Sequence, residues 1–149
     1  MIKLIYGEKG TGKTKIILDS INDSAKTAKG NVVFITEKRG YSANIDFNVR
    51  CIYTEDFCVK GESGFIGFID GLMAGNADIE YVYIDGILRI TGCAVNELDA
   101  FFAEIKQLEK QYGAKFILTV SCTKEALPAN LQHGRACRRQ CRFRDCFGA

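Results

Sequence analysis

The sequence predicts an α/β domain of three layers, with helices on both faces of a mostly parallel sheet. Three observations carry that prediction. Apolar strand segments alternate with amphipathic helical segments along the chain. Several of the strands are apolar throughout, the pattern of strands buried on both faces. The first strand runs through a glycine-rich turn directly into a helix, which places any ligand at the carboxyl ends of the strands.

The first strand is the apolar run Ile2, Leu4, Ile5 and Tyr6. A helix follows from about Lys13 to Lys29, where Ile16, Ile17, Ile21, Ala25 and Ala28 form one apolar face. Asn31-Val-Val-Phe-Ile-Thr36 reads as a buried strand and Cys51-Ile-Tyr-Thr54 as a shorter one bounded by charged residues. From Ser63 to Asn76, Phe65, Ile66, Phe68, Ile69, Leu72 and Met73 recur at helical spacing, with Ser63 in place as an N-cap. Gly67, Gly71 and Gly75 share one stripe of that helix. Each costs about 1 kcal/mol against alanine, so the stripe implies close backbone approach, either to the sheet or to a second copy in a homo-oligomer. Tyr81-Val-Tyr-Ile-Asp85-Gly86 is the next strand and its exit. A helix from Val95 or Asn96 to Tyr112 buries Leu98, Phe101, Phe102, Ile105, Leu108 and Tyr112, and Gly113 closes it. Lys115 to Ser121 is the last strand of the body, leading into Thr123-Lys-Glu-Ala-Leu-Pro128.

A chain of 149 residues fits one domain, expected over residues 1–131. With 47% hydrophobic and 26% charged residues and one proline, the composition is that of a globular body without linkers. No repeat is visible. The start is too short for a secretory apolar segment, and the stretch Gly64 to Ala77, interrupted by Asp70, falls short of a membrane span. Seven cysteines without a signal peptide point to a reducing cytoplasm, with Cys51, Cys58, Cys93 and Cys122 as small core hydrophobes.

The net charge of +2 hides an asymmetry: residues 135–149 carry five Arg against one Asp, and the body is slightly acidic. Residues 132–149 therefore form a separate basic tail, expected to be a disordered or non-native extension. Two functional readings of it are zinc ligation by His133, Cys137, Cys141 and Cys146, and an arginine-rich contact to nucleic acid.

Residues 7–14 read Gly7-Glu8-Lys9-Gly10-Thr11-Gly12-Lys13-Thr14, a complete GxxxxGK[ST] pattern, the Walker A loop. Such a turn points several backbone N–H groups and a helix N-terminus into one concavity, a site for a triphosphate. The glycines permit positive φ and close approach to phosphate. Lys13 reaches the β- and γ-phosphates and the Thr14 hydroxyl serves Mg²⁺; Lys15 follows on the same turn. Asp85 ends an apolar strand, the Walker B position, where a second acid holds Mg²⁺ opposite Thr14. Gly86 and Ile87 follow it, so a water-activating base must come from elsewhere. Glu37, just past the strand 31–36, projects from the same sheet edge; a solvated acid in the charged Glu37-Lys38-Arg39 loop is the alternative.

At this point the chain resembles the RecA-like (ASCE) branch of P-loop NTPases, on Val-Val-Phe-Ile-Thr-Glu37 after the phosphate loop. That resemblance implies a P-loop NTPase fold and a catalytic glutamate after the second strand. It also implies a γ-phosphate-sensing polar residue at Thr119 or Ser121. Arg39 and Arg89 lie past the Glu37 and Asp85 strand ends, as candidates for charge-stabilising fingers in cis or across a subunit interface. Tyr-Ile-Asp85-Gly-Ile-Leu, and Phe-Ile-Leu-Thr-Val-Ser followed by Leu-Pro, are also similar to small bacterial ATP-binding proteins labelled PilT-like or twitching-motility ATPases.

The function expected is binding of MgATP with slow hydrolysis that drives a conformational change. Lys13, Glu37 and Asp85 are its catalytic residues, Gly7 to Lys15 its nucleotide contacts, and Thr14 and Asp85 its metal ligands. ATP is favoured because no Asn-Lys-x-Asp guanine-reading motif occurs. A non-catalytic ATP sensor and a small-molecule kinase are the alternatives.

Overall fold

The computed structural model describes residues 1–132 and, in backbone, residues 142–145. In chain order the elements are β1 (Ile2–Gly7), α1 (Lys13–Thr27), β2 (Asn31–Thr36), β3 (Arg50–Tyr53), α2 (Gly61–Gly75), β4 (Ile79–Asp85), α3 (Ile87–Thr91), α4 (Leu98–Tyr112), β5 (Lys115–Ser121) and β6 (Arg142–Asp145). They form one sheet in the order β3-β2-β4-β5-β1-β6. The first five strands run parallel, and β6 lies antiparallel on the outer edge of β1.

Alternation along each strand sends neighbouring residues to opposite faces, and both faces are covered. Ile5, Val32, Phe34, Tyr83 and Ile117 pack against Ile17 and Ile21 of α1. On the other face Leu4, Val33, Ile35, Val82, Ile84, Phe116 and Leu118 share a core with Phe65 and Ile69 of α2 and with Phe101, Phe102 and Ile105 of α4. Phe65 and Phe101 stack at 6.1 Å and 3°, and Phe102 meets Phe101 edge-on at 5.8 Å. Each such buried ring or branched chain contributes roughly 1.5–3 kcal/mol by leaving water. Tyr83 is the polar exception: its hydroxyl donates to the Ser20 carbonyl at 3.0 Å and meets the Ser20 and Ser24 hydroxyls, which accounts for a buried serine on the sheet face of α1.

Several expectations need correction. α1 stops at Thr27, two residues before Lys29, because Ala28 turns extended and gives its N–H to Ser24. α2 starts at Gly61 after Lys60, so Ser63 lies inside the first turn and is not the N-cap. Its sheet-facing residues are Phe65, Ile69 and Met73. Gly67, Gly71 and Gly75 stand two positions further on, about 200° round the helix, and are exposed; a Cβ at any of them would meet nothing within 4 Å. The stripe therefore does not pack on the sheet. Of the body cysteines only Cys122 is buried; Cys51 and Cys93 are half-buried and Cys58 is exposed. α3 is unforeseen, since five residues between Gly86 and Gly92 are too few to display a helical period. His133, Cys137, Cys141 and Cys146, the zinc reading of the tail, lie outside the described residues. No helix among the described residues is long and apolar enough to cross a membrane.

Where α1 returns to the sheet, Glu80 of β4 accepts the N–H groups of Lys29 and Gly30 at 2.8 and 2.9 Å and pairs with Lys115 at 3.1 Å. The Gly30 N–H first, and then Lys115, hold the Glu80 carboxyl below the usual carboxylate range. A depressed folded-state pKa contributes stability above the unfolded value of about 4.3, lost as pH falls through the lower folded value. Glu80→Gln is expected to be less stable than the parent at neutral pH, with the gap closing on acidification below about pH 4. Urea denaturation across a pH series measures this, and a gap that stays constant with pH would refute it.

Candidate functional site

Register brings the chemically active residues to one edge of the sheet. Gly7 of β1 stands opposite Ser121 of β5, and Thr36 of β2 opposite Asp85 of β4. β5 separates β1 from β4, so the turn after β1 and the acid at the end of β4 flank the end of β5. The ladder continues past the strands, with the Cys122 N–H donating to the Gly7 carbonyl at 3.1 Å.

The turn from Gly7 into α1 depends on backbone that only glycine adopts readily: Gly10 and Gly12 have φ of +84° and +88°. The Thr11 N–H and hydroxyl both donate to the Glu8 carbonyl, at 3.3 and 2.7 Å. Lys13 is buried to 8% exposure and curls back to give its Nζ to the same carbonyl at 2.8 Å. Gly12 caps α1 and has no side chain to occupy the first-turn N–H groups. A closed ring of backbone with a buried ammonium and a helix N-terminus is a strong anion cradle. Gly7 is buried at its base, and Glu8 and Lys9 are exposed on its rim. Lys15 is exposed on the first turn of α1.

A cavity of about 410 Å³ opens over this cradle, lined by Lys9, Gly10, Gly12, Lys13 and Thr14 from the turn and by Tyr41, Asp85, Arg89, Thr119 and Ser121. Asp85 is 3% exposed. Its Oδ1 accepts the Thr119 hydroxyl at 2.5 Å, and the Thr119 oxygen accepts the Gly86 N–H at 2.8 Å. Its Oδ2 is buried and accepts no hydrogen bond, the Arg89 Nη2 standing 3.8 Å away. Arg89 thus gives this oxygen a cation at ion-pair range but no hydrogen bond, and a buried carboxylate oxygen without a donor is costly. With the Thr14 hydroxyl on the same cavity, these residues fit Mg²⁺, which takes one or two protein oxygens and fills its octahedron with water and phosphate. Among the described residues no three His, Cys, Asp or Glu side chains converge into a metal cage. Burial pushes the neighbouring Cys122 thiol up to about 11 even with Lys13 opposing it, so this cysteine is a packing group at neutral pH.

A second cavity of about 420 Å³ adjoins the first and shares Thr14, Tyr41 and Arg89 with it; Thr36, Glu37, Lys38, Arg39 and Gly40 complete its lining. Glu37 therefore lies beside the cradle, not within it, and its Oε2 is 3.3 Å from Arg89 Nε. The segment after it is fixed on α1, where Asn22 donates to the Asn44 carbonyl and accepts the Asp46 N–H at 2.8 and 2.9 Å. Arg39 is turned away from the cradle: its guanidinium takes Asp56 in a two-bonded fork and lies 4.8 Å over the Tyr53 ring. The finger expected at Arg39 is thus committed to the turn after β3. Thr119 is the buried partner of Asp85, while Ser121 is exposed on the cavity wall. Tyr41, on both cavities, is a residue that sequence reasoning missed, because a lone aromatic in a polar loop carries no periodic or motif signal.

Neither a scan of protein-family models nor a search of curated proteins returns a match to this chain.

Thr119→Val preserves shape but strands Asp85 Oδ1 and the Gly86 N–H in the interior. The expected cost is roughly 2–4 kcal/mol for two unsatisfied groups, read by urea denaturation. A loss below about 0.5 kcal/mol would show that the Thr119 hydroxyl does not hold Asp85.

Proposed function

We propose that the protein binds ATP with Mg²⁺ over the Gly7–Thr14 turn and hydrolyses it slowly to drive a conformational change, as a P-loop NTPase of the RecA-like kind. The observation that carries this reading is the Asp85 carboxylate. It is buried, clamped on one oxygen by Thr119 and left without a hydrogen bond on the other, inside the cavity that also holds Lys13 and Thr14.

Each residue has a separable role. The N–H groups of the turn and of the first turn of α1 bind phosphate oxygens. Lys13 exchanges its bond to the Glu8 carbonyl for the β- and γ-phosphates, so its charge is already in place before binding. The Thr14 hydroxyl and Asp85 would hold Mg²⁺, which would supply positive charge against the negative charge of the phosphates. Glu37 orients a water and accepts its proton as the water oxygen bonds to the γ-phosphorus and the bond to the ADP oxygen breaks. Ser121 sits on the wall from which a γ-phosphate is sensed.

A second reading, an ATP sensor without turnover, is favoured by one observation: Asp85 is followed by Gly86, so no acid stands next to it at the strand end.

The test is ATP binding and Mg²⁺-dependent turnover by the full chain. Lys13→Ala is expected to abolish binding, and Asp85→Asn to retain much binding while losing Mg²⁺-dependent turnover. Glu37→Gln is expected to lower turnover by roughly a hundredfold, the usual contribution of a general base. Tight binding without turnover in the parent selects the sensor, and equal hydrolysis by the parent, Lys13→Ala and Asp85→Asn refutes the site.

A further inference from the structure

Arg89 lies where the two acids of the cleft come together, and we infer that it is a positioning residue that holds the Glu37 carboxylate beside the Thr14 end of the cavity. The inference rests on the hydrolytic reading, in which Glu37 handles water. Glu37 is the first residue past β2 and Asp85 the last of β4, and these strands pair with Thr36 opposite Asp85. Two like charges thus leave adjacent strand ends. Left alone, the half-exposed Glu37 would turn toward bulk water, where its rotamers are free and repulsion from Asp85 is screened.

Arg89 opposes that drift. Its Nε is 3.3 Å from Glu37 Oε2 and its Nη2 is 3.8 Å from Asp85 Oδ2, so one rigid plane spans both acids. The guanidinium also lies close against the backbone. It lies over the α-carbon of Gly86, where a Cβ would come within 2.3 Å of Nη2 and 2.6 Å of Cζ. Gly86 has φ of +82° and starts α3, and its N–H is tied to Thr119. The chain from Asp85 to Arg89 is therefore one short, anchored turn that returns a cation over the strand end it has just left. The Arg89 side chain is 52% exposed, so the pair adds little to stability. Its effect is on position: Arg89, Glu37 and Thr14 line the same cavity.

The experiment combines steady-state ATP turnover of the full chain with NMR of the Arg89 Nε–H group. Arg89→Ala is expected to lower kcat by roughly 10- to 100-fold, the scale of a misplaced catalytic group, with KM for ATP changed by less than about twofold. Arg89→Lys should recover part of the rate, and adding Arg89→Ala to Glu37→Gln should cost nothing further. In the parent the Arg89 Nε–H resonance should shift on Glu37→Gln. An unchanged kcat in Arg89→Ala, or an equal loss in the Glu37→Gln background, overturns the inference. A parent that binds ATP without turnover defeats the hydrolytic reading alone; the NMR then decides Arg89, and a resonance indifferent to Glu37→Gln overturns it.

Discussion

The constraint on which this structure depends is burial of the sheet on both faces. The apolar side chains of β1, β2, β4 and β5 divide between two cores, with Ile5, Phe34, Tyr83 and Ile117 on one side and Leu4, Val33, Ile84 and Leu118 on the other. Polar groups along such strands are few and individually partnered, and an open site falls where the strands end. In-register pairing makes those ends nearly coplanar, so Gly7, Thr36, Asp85 and Ser121 meet along one edge although they are far apart in the chain.

That edge is also where the molecule departs from maximal stability. A carboxylate buried at 3% exposure and one of its oxygens left without a hydrogen bond each oppose the folded state. The cores and the Thr119 hydroxyl offset these costs. The layers are thus apolar and regular, and the costly polar burial is confined to one edge of the sheet.

Much of this was legible in the sequence, because strand and helix each impose a period on apolar residues. Asn31–Thr36 and Lys115–Ser121 emerge with the bounds read from their patterns, and the cradle residues Lys13, Thr14 and Asp85 share a cavity. Legibility failed where the answer depends on direction and not on periodicity. The glycines of α2 are helical as expected but face outward, since Phe65, Ile69 and Met73 had already claimed the sheet side. Arg39 and Arg89 are equivalent in sequence, each just beyond an acid-bearing strand end, yet one closes on Asp56 and the other on Glu37. Nothing in the local composition distinguishes them; the turn after β3 and the brevity of α3 do.

The grip of Asn22 on the segment 42–46 gives α1 a mechanical meaning. One end of this helix is the floor of the anion cradle, and its middle carries the loop that supplies Tyr41 to both cavities. From Lys13 to Asn22 the helix is a stiff rod of about 14 Å. Any tilt imposed at the cradle is therefore delivered to that loop as a displacement, as by a lever whose far arm moves a wall of the cleft.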